Sequence, residues 1–164
     1  QKISNFKIDA FDQKDFGCLG YMYDDKVLMF SRTFKKHTLQ SIFSENLPEK
    51  LPSVGIVYYY AGAKVSLLKM MADEHQGIVI IGSGSGNYSR RWLQEIERLN
   101  NEGIIFVRAS RVNQGIVYKS DVFDPNNVCI PSNTLSGQKA RVLLMLALSR
   151  TADIEEIKRI FDEY

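Results

Sequence analysis

Hydrophobic positions follow two regimes along this chain, and the change comes near residue 53. Beyond it, continuous apolar runs alternate with stretches whose apolar residues recur three and four apart. "VGIVYYYAGA" (54–63) is β-branched and aromatic and ends in small residues, which predicts a strand running into a turn. Over 64–75, Val65, Leu68, Met71 and Ala72 keep helical spacing. "GIVIIG" (77–82) is a second strand, and after "SGSGN" Trp92, Ile96 and Leu99 stand at i, i+4 and i+7 with Leu93 beside them. That amphipathic helix should stop at "NNEG", with Gly103 as its C-terminal cap. "IIFVRAS" (104–110) predicts a third strand, and the irregular stretch 111–136 holds one short strand candidate, "VCIPS". "GQKARVLLMLALSR" is apolar nearly all round and predicts a buried helix. "TADIEEIKRIFDEY" puts Ile154, Ile157, Ile160, Phe161 and Tyr164 on one face, with Thr151 as N-cap and acids in the first turn, where the helix dipole favours them. Strands that are apolar throughout and alternate with helices need cover on both faces. The fold class is therefore α/β, a small parallel sheet flanked by helices.

The first 53 residues read differently. "CLGYMYDDKVLMFSR" (18–32) has two β-prone runs around Asp24-Asp25, a hairpin signal, and 33–53 is polar and twice interrupted by proline, as a linker or extended arm would be. Two units are expected: a hairpin with connecting arm over 1–53 and an α/β domain over 54–164. The chain starts at Gln1 without an initiator Met, on a segment that reads like the middle of something, so a piece of a longer chain is expected. Its 164 residues, 45% of them hydrophobic, suffice for a sizeable core. A net charge of +2, from 21 basic and 19 acidic residues, leaves no electrostatic footprint for nucleic acid or an anionic membrane. "VLLMLAL" (142–148) falls far short of the ~20 residues of a membrane-spanning helix, and a soluble protein is expected. Cys18 and Cys129 lie far apart and outside any metal-ligand spacing, so neither a metal site nor a disulfide scaffold is indicated.

The candidate chemistry centres on "GIVIIGSGSGNYSRR" (77–91). Its Gly82, Gly84 and Gly86 are spaced G-x-G-x-G, whereas a dinucleotide fingerprint is G-x-G-x-x-G. Glu102 does fall about where a ribose-binding acid would be expected, but Asn87 stands where the fingerprint wants its third glycine, and the loop follows the second strand of the unit. Three readings stay open: a phosphate cradle, a tight strand-to-helix turn, and a loop that projects Asn87 from a backbone needing unusual φ/ψ angles. The last fits the rule that α/β sheets bind ligands at the carboxyl ends of their strands. His37 and His75 read as solvated or capping residues, "YYY" (58–60) and Met70-Met71 as core and interface filler, and "SNTLSGQKAR" (132–141) as a capping loop. There is no G-x-S-x-G, H-E-x-x-H or Walker loop. The residues alone describe a ligand-competent α/β domain without catalytic machinery of its own, and no cofactor is expected.

"VGIVYYYAGA", "GIVIIGSGSGN", "GIIFVRASRVNQGIV" and "SNTLSGQKARVLLMLALSRTADIEEIKRIFDEY", with "LGYMY", "KV" and "KHT" before them, follow one another in the order and at the spacing of the C-terminal half of bacterial type II L-asparaginases. The chain resembles that family over nearly its whole length. The resemblance implies that the nucleophilic threonine and its supporting residues belong to a larger N-terminal domain, so no catalytic residue is expected here. It also implies L-asparagine as substrate, an N-terminal asparaginase domain as partner, and a homo-oligomer built as a dimer of intimate dimers. Asn87 would reach into the neighbouring subunit's active site and help hold the amino-acid substrate. A family glutamate after "SRV" contacts the substrate's ammonium group. The nearest acid here is Asp121, shorter by one methylene and one residue out of register without a gap. A periplasmic or secreted location follows from the type II resemblance, with a cytoplasmic one as the alternative. The competing reading is a non-enzymatic sensor of an amino acid or nucleotide on the same fold.

Overall fold

The computed structural model describes residues 2–12 and 17–164; Gln1 and residues 13–16, part of the stretch assigned above to the arm, lie outside the described residues. Strands β1 (Gly20–Tyr23) and β2 (Lys26–Met29) pair antiparallel with Tyr23 opposite Lys26, so Asp24 and Asp25 form the expected two-residue turn. Asp24 takes φ 51°, a left-handed conformation that Asp tolerates because its short side chain bonds locally. The hairpin leaves Tyr21, Met22, Val27, Met29 and Phe30 exposed.

From there the chain docks on its own C-terminus. Lys36 N–H donates to the Glu163 carbonyl at 2.9 Å, and the two side chains form an ion pair at 2.8 Å. Ile42 N–H donates to the Tyr164 hydroxyl at 2.7 Å, and the Phe43 ring packs 5.3 Å from the Tyr164 ring. Arg150 donates to the carbonyls of Ile42 and Glu45.

A four-stranded parallel sheet follows, β3 (Val54–Tyr58), β4 (Gly77–Gly82), β5 (Ile105–Ser110) and β6 (Cys129–Pro131), with its strands in sequence order. Helices α1 (Ser66–Ala72) and α2 (Arg90–Asn101) link the first three strands, and α3 (Gly137–Leu148) and α4 (Ile154–Glu163) close the chain. Period-two alternation divides the strand residues between the faces. Val79, Ile81, Val107, Ala109 and Ile130 meet Leu144 and Ala147 of α3 and Ile157, Ile160 and Phe161 of α4. Ile78, Ile80, Phe106 and Cys129 meet Leu68 of α1 and Trp92, Ile96 and Leu99 of α2. Burying a side chain of this size contributes roughly 1.5–3 kcal/mol, so the two layers supply the sheet's stability from both sides. No helix among the described residues is long and apolar enough to cross a membrane.

Some local expectations need correction. The N-cap of α4 is Asp153, whose carboxylate accepts from Glu155 N–H at 3.0 Å; Thr151 sits just before it and accepts from Asp153 N–H at 3.0 Å. A carboxylate at the positive end of the helix dipole outcompetes a neutral hydroxyl for that place. Ser136 is the N-cap of α3, but its hydroxyl makes no cap bond. Helix α3 is also not buried all round, because Val142 is 50% exposed. Tyr59 alone of the three consecutive tyrosines packs inward, at 5.2 Å from Trp92, while Tyr58 and Tyr60 are exposed. His75 neither caps nor stands free: its Nδ1 lies 2.6 Å from Ser53 Oγ, and a Cβ at Gly55 would come 2.6 Å from its ring. The cap of α2 is as expected, with Gly103 at φ 96°. Ile104 N–H there donates to the Leu99 carbonyl at 3.1 Å.

Candidate functional site

The glycine loop leaves β4 and folds straight back on itself. Ser83 N–H donates to the Asn87 carbonyl at 3.0 Å, and Asn87 N–H donates to the Ser83 carbonyl at 2.7 Å. This closure needs glycine for two different reasons. Gly82 faces the returning chain: a Cβ there would stand 2.4 Å from Gly86 C and 2.7 Å from Asn87 N, inside any allowed contact. Gly86 has φ 85°, where a Cβ is strained, and would place it 3.0 Å from Arg108 Cγ. Two of the N–H groups that a phosphate would have to recruit are thus occupied within the loop. Glu102 caps the far end of α2, a helix of 12 residues and so about 18 Å long, where it pairs with Arg98. The acid that would bind a ribose is therefore at the opposite edge of the sheet.

The end of β5 and the loop after it hold the glycine loop, and the loop after β6 pairs with them in turn. Arg111 N–H donates to the Gly82 carbonyl at 3.0 Å, and the Ser110 hydroxyl donates to the Gly84 carbonyl. Val117 and Asn133 exchange backbone hydrogen bonds at 3.0 and 3.2 Å, and the Asn133 amide donates to the Phe161 carbonyl at 3.0 Å. A cleft of about 130 Å³ lies on this edge between Tyr58, Ser110, Arg111, Asn133 and Ser136.

Asn87 is half-buried in this frame, and its Oδ1 is buried without a partner among the described residues. Asp121 is exposed in a turn stabilised by Ser120, whose carbonyl accepts from Asp124 N–H at 2.8 Å. Among the described residues its carboxylate forms no ion pair. No hydrogen bond joins the Asn87 and Asp121 side chains, but their neighbours Tyr88 and Val122 line one cavity of about 530 Å³.

Three residues that hold this region carried no motif. Arg108, buried within β5, donates from Nη1 to the Ser85 carbonyl at 3.0 Å and from Nη2 to the Tyr118 carbonyl. Asp124, also buried, accepts from Val128 N–H and Cys129 N–H, each at 2.9 Å, and so fixes the entry to β6. The Tyr88 hydroxyl lies 3.3 Å from Cys129 Sγ. Burial pushes the Cys129 thiol up to about 12 and raises the Tyr88 phenol as well, so both are neutral and unreactive near pH 7. Arg108 was the findable one, as a lone charge inside the apolar run "IIFVRAS" that has to meet buried acceptors.

Residues 53–161 match the family profile of the glutaminase/asparaginase C-terminal domain. The chain belongs to the glutaminase/asparaginase family. It is 35% identical to the probable periplasmic L-asparaginase of Haemophilus influenzae, over 99% of this chain and 47% of that protein. The L-asparaginase 2 of Escherichia coli is likewise 35% identical, over 99% and 47%. The glutaminase-asparaginase of Pseudomonas fluorescens is 31% identical, over 99% and 46%. Among solved structures, the probable cytoplasmic L-asparaginase of Campylobacter jejuni superposes with a TM-score of 0.89 at 35% identity, covering 100% of this chain and 52% of that one. The chain thus spans about half the length of the asparaginases it matches, as their C-terminal part. Their names place such enzymes in both the periplasm and the cytoplasm.

Proposed function

We infer that this chain is the substrate-holding C-terminal part of an L-asparaginase, an amidohydrolase that converts L-asparagine and water to L-aspartate and ammonia. The observation that carries the reading is the braced loop at the carboxyl edge of the sheet, which holds Asn87 with an unpartnered Oδ1. A side-chain amide offers one acceptor and two donors, which suits an amino acid's ammonium and carboxylate groups. Asp121, on the adjoining loop, supplies the carboxylate that a free α-ammonium group requires. Both residues would serve the active site of a neighbouring subunit in an intimate dimer.

The bond-breaking steps belong to an N-terminal domain that residues 1–53 would meet. There a threonine oxygen attacks the side-chain carbonyl of asparagine and ammonia leaves with a proton from the catalytic groups. The resulting aspartyl ester is then hydrolysed by water to aspartate and free threonine. In this chain the one neutral nucleophile of the buried cluster, Cys129, is sealed under Tyr88 and lacks a base. The type II resemblance favours a periplasmic location, and the dimer-of-dimers assembly is read by native mass spectrometry.

The test is ammonia release from L-asparagine and from L-glutamine. The full-length protein should turn over at least one of them. Asn87→Ala should raise KM and lower kcat together, because the amide orients the substrate for attack, at a cost of roughly 1–3 kcal/mol. Asp121→Ala should act mainly through KM. Ammonia release by the 164-residue chain by itself, abolished by mutating one of its own residues, would overturn the assignment of chemistry to the other domain.

A further inference from the structure

Among the described residues the buried charged side chains are Arg108 and Asp124. Asp124 caps the turn before β6 and its two oxygens are both engaged. Arg108 is different, because its partners lie on two separate loops. No carboxylate among the described residues lies within ion-pair distance of its guanidinium, and its Nε has no partner. Its two terminal nitrogens donate to the carbonyl of Ser85, two residues before Asn87, and to the carbonyl of Tyr118, three residues before Asp121. Its stem lies under Gly86, where a Cβ would stand 3.0 Å from Arg108 Cγ. The backbone of β5 holds the stem in place, since the Arg108 carbonyl accepts from Ser132 N–H at 2.9 Å.

We propose that Arg108 is a positioning residue that fixes the glycine loop and the Asp121 loop relative to one another, so that Asn87 and Asp121 reach one substrate together. The proposal rests on the reading of those two residues as substrate ligands. A planar fork suits this role because it presents diverging N–H groups in a rigid geometry, which a single lysine ammonium cannot do. A buried cation without a counter-charge is expensive to keep, and carbonyl acceptors on both loops are what compensate it here. Losing the fork removes the tie to the glycine loop at Ser85 and the tie to the Asp121 loop at Tyr118 together, whereas losing either contact leaves the other in place.

The experiment combines kinetics with backbone exchange on the full-length protein. Arg108→Met keeps the stem and removes the fork. It is expected to lower kcat/KM for L-asparagine by roughly 10²-fold through both KM and kcat, the scale of a misplaced substrate ligand. Arg108→Lys keeps charge and stem and should recover only part of this. On an Asn87→Ala background the Arg108→Met effect should shrink severalfold, because part of what the arginine positions is already gone. Amide exchange should accelerate together in segments 83–88 and 117–122. A purely structural arginine would instead cost the same factor on both backgrounds with KM unchanged, and that result overturns the proposal, as does unchanged exchange in either segment. If Asn87→Ala turns asparagine over like the wild type, the substrate reading has failed, and the paired exchange alone sustains or overturns the clamp. Should Arg108→Met not fold, Arg108→Lys carries the same measurements.

Discussion

Replacing Gly82 by alanine tests whether the glycine loop is built for close approach or for backbone freedom. Gly82 does not adopt a positive φ, so the added methyl meets a packing barrier and no torsional one. That methyl would stand 2.4 Å from Gly86 C, 2.5 Å from Gly86 O and 2.7 Å from Asn87 N, and backbone atoms cannot rotate away as a side chain would. Relief requires opening the Ser83–Asn87 bridge, with its hydrogen bonds of 2.7 and 3.0 Å. Two such bonds contribute about 1 kcal/mol each, and overpacking adds a similar amount, so a loss of about 3 kcal/mol is expected. Gly84 is the control. A methyl there has open space, its nearest neighbour being Asn87 Nδ2 at 3.7 Å, and only the left-handed φ of 50° opposes it. That strain is worth about 1 kcal/mol. Urea denaturation of the full-length protein gives both values, and, on the proposed reading of Asn87 as a substrate ligand, ammonia release from L-asparagine would report whether it has moved. Gly82→Ala should lose stability and activity together, and Gly84→Ala far less of both. Equal costs for the two substitutions, to within about 0.5 kcal/mol, would refute close approach as the constraint at Gly82.

Other outcomes follow from the same geometry. Asp124→Ala strands the N–H groups of Val128 and Cys129 and should cost about 3 kcal/mol in a urea titration, with Asp124→Asn, which keeps one acceptor, in between. Stability should fall at alkaline pH: the unfolded thiol of Cys129 ionises from its ordinary 9.0 while the buried one holds its proton to about 12. That contribution is complete below pH 9 and is lost between pH 9 and 12 at up to about 1.4 kcal/mol per pH unit, so the urea midpoint should drop from pH 7.5 to pH 10 and Cys129→Ala should flatten the drop. Tyr164→Phe removes the acceptor for Ile42 N–H but keeps the ring beside Phe43; amide exchange over residues 40–45 should accelerate while the global unfolding free energy falls by no more than about 1 kcal/mol.

What the sequence discloses of the structure depends on how far each signal reaches along the chain. The β-α alternation from Val54 onward was legible because parallel strands covered on both faces must be apolar throughout, as the burial of every residue of β4 bears out. The hairpin was legible from Asp24-Asp25 without a glycine because one left-handed aspartate sufficed. Caps were less legible, since "TAD" offers two acceptors and the winner depends on charge at the helix end as well as on position. The exposed flank of α3 could not be seen at all, because an apolar stripe such as Val142 reads the same whether this chain or another surface covers it. The docking of the arm on Tyr164 and Arg150 was equally hidden, being made of contacts more than a hundred residues apart.

The site divides along the same line. Gly82, Gly84, Gly86 and Asn87 lie close together in sequence, so their spacing alone marked a departure from the dinucleotide fingerprint and drew attention to the asparagine. What the spacing could not say was which glycine answers to which constraint: steric closure at Gly82, torsion and contact with Arg108 at Gly86. Asp121 is a weaker case, because a lone acid in an irregular loop looks like any solvated surface charge until its neighbours are placed. Arg108 is the link between them. A guanidinium inside an apolar strand has no water to donate to, and its partners therefore had to be backbone carbonyls brought close by the fold. Those carbonyls belong to the two loops that carry Asn87 and Asp121. The apolar strand β5 thus carries a buried cation whose two carbonyl partners belong to the loops of both candidate ligands.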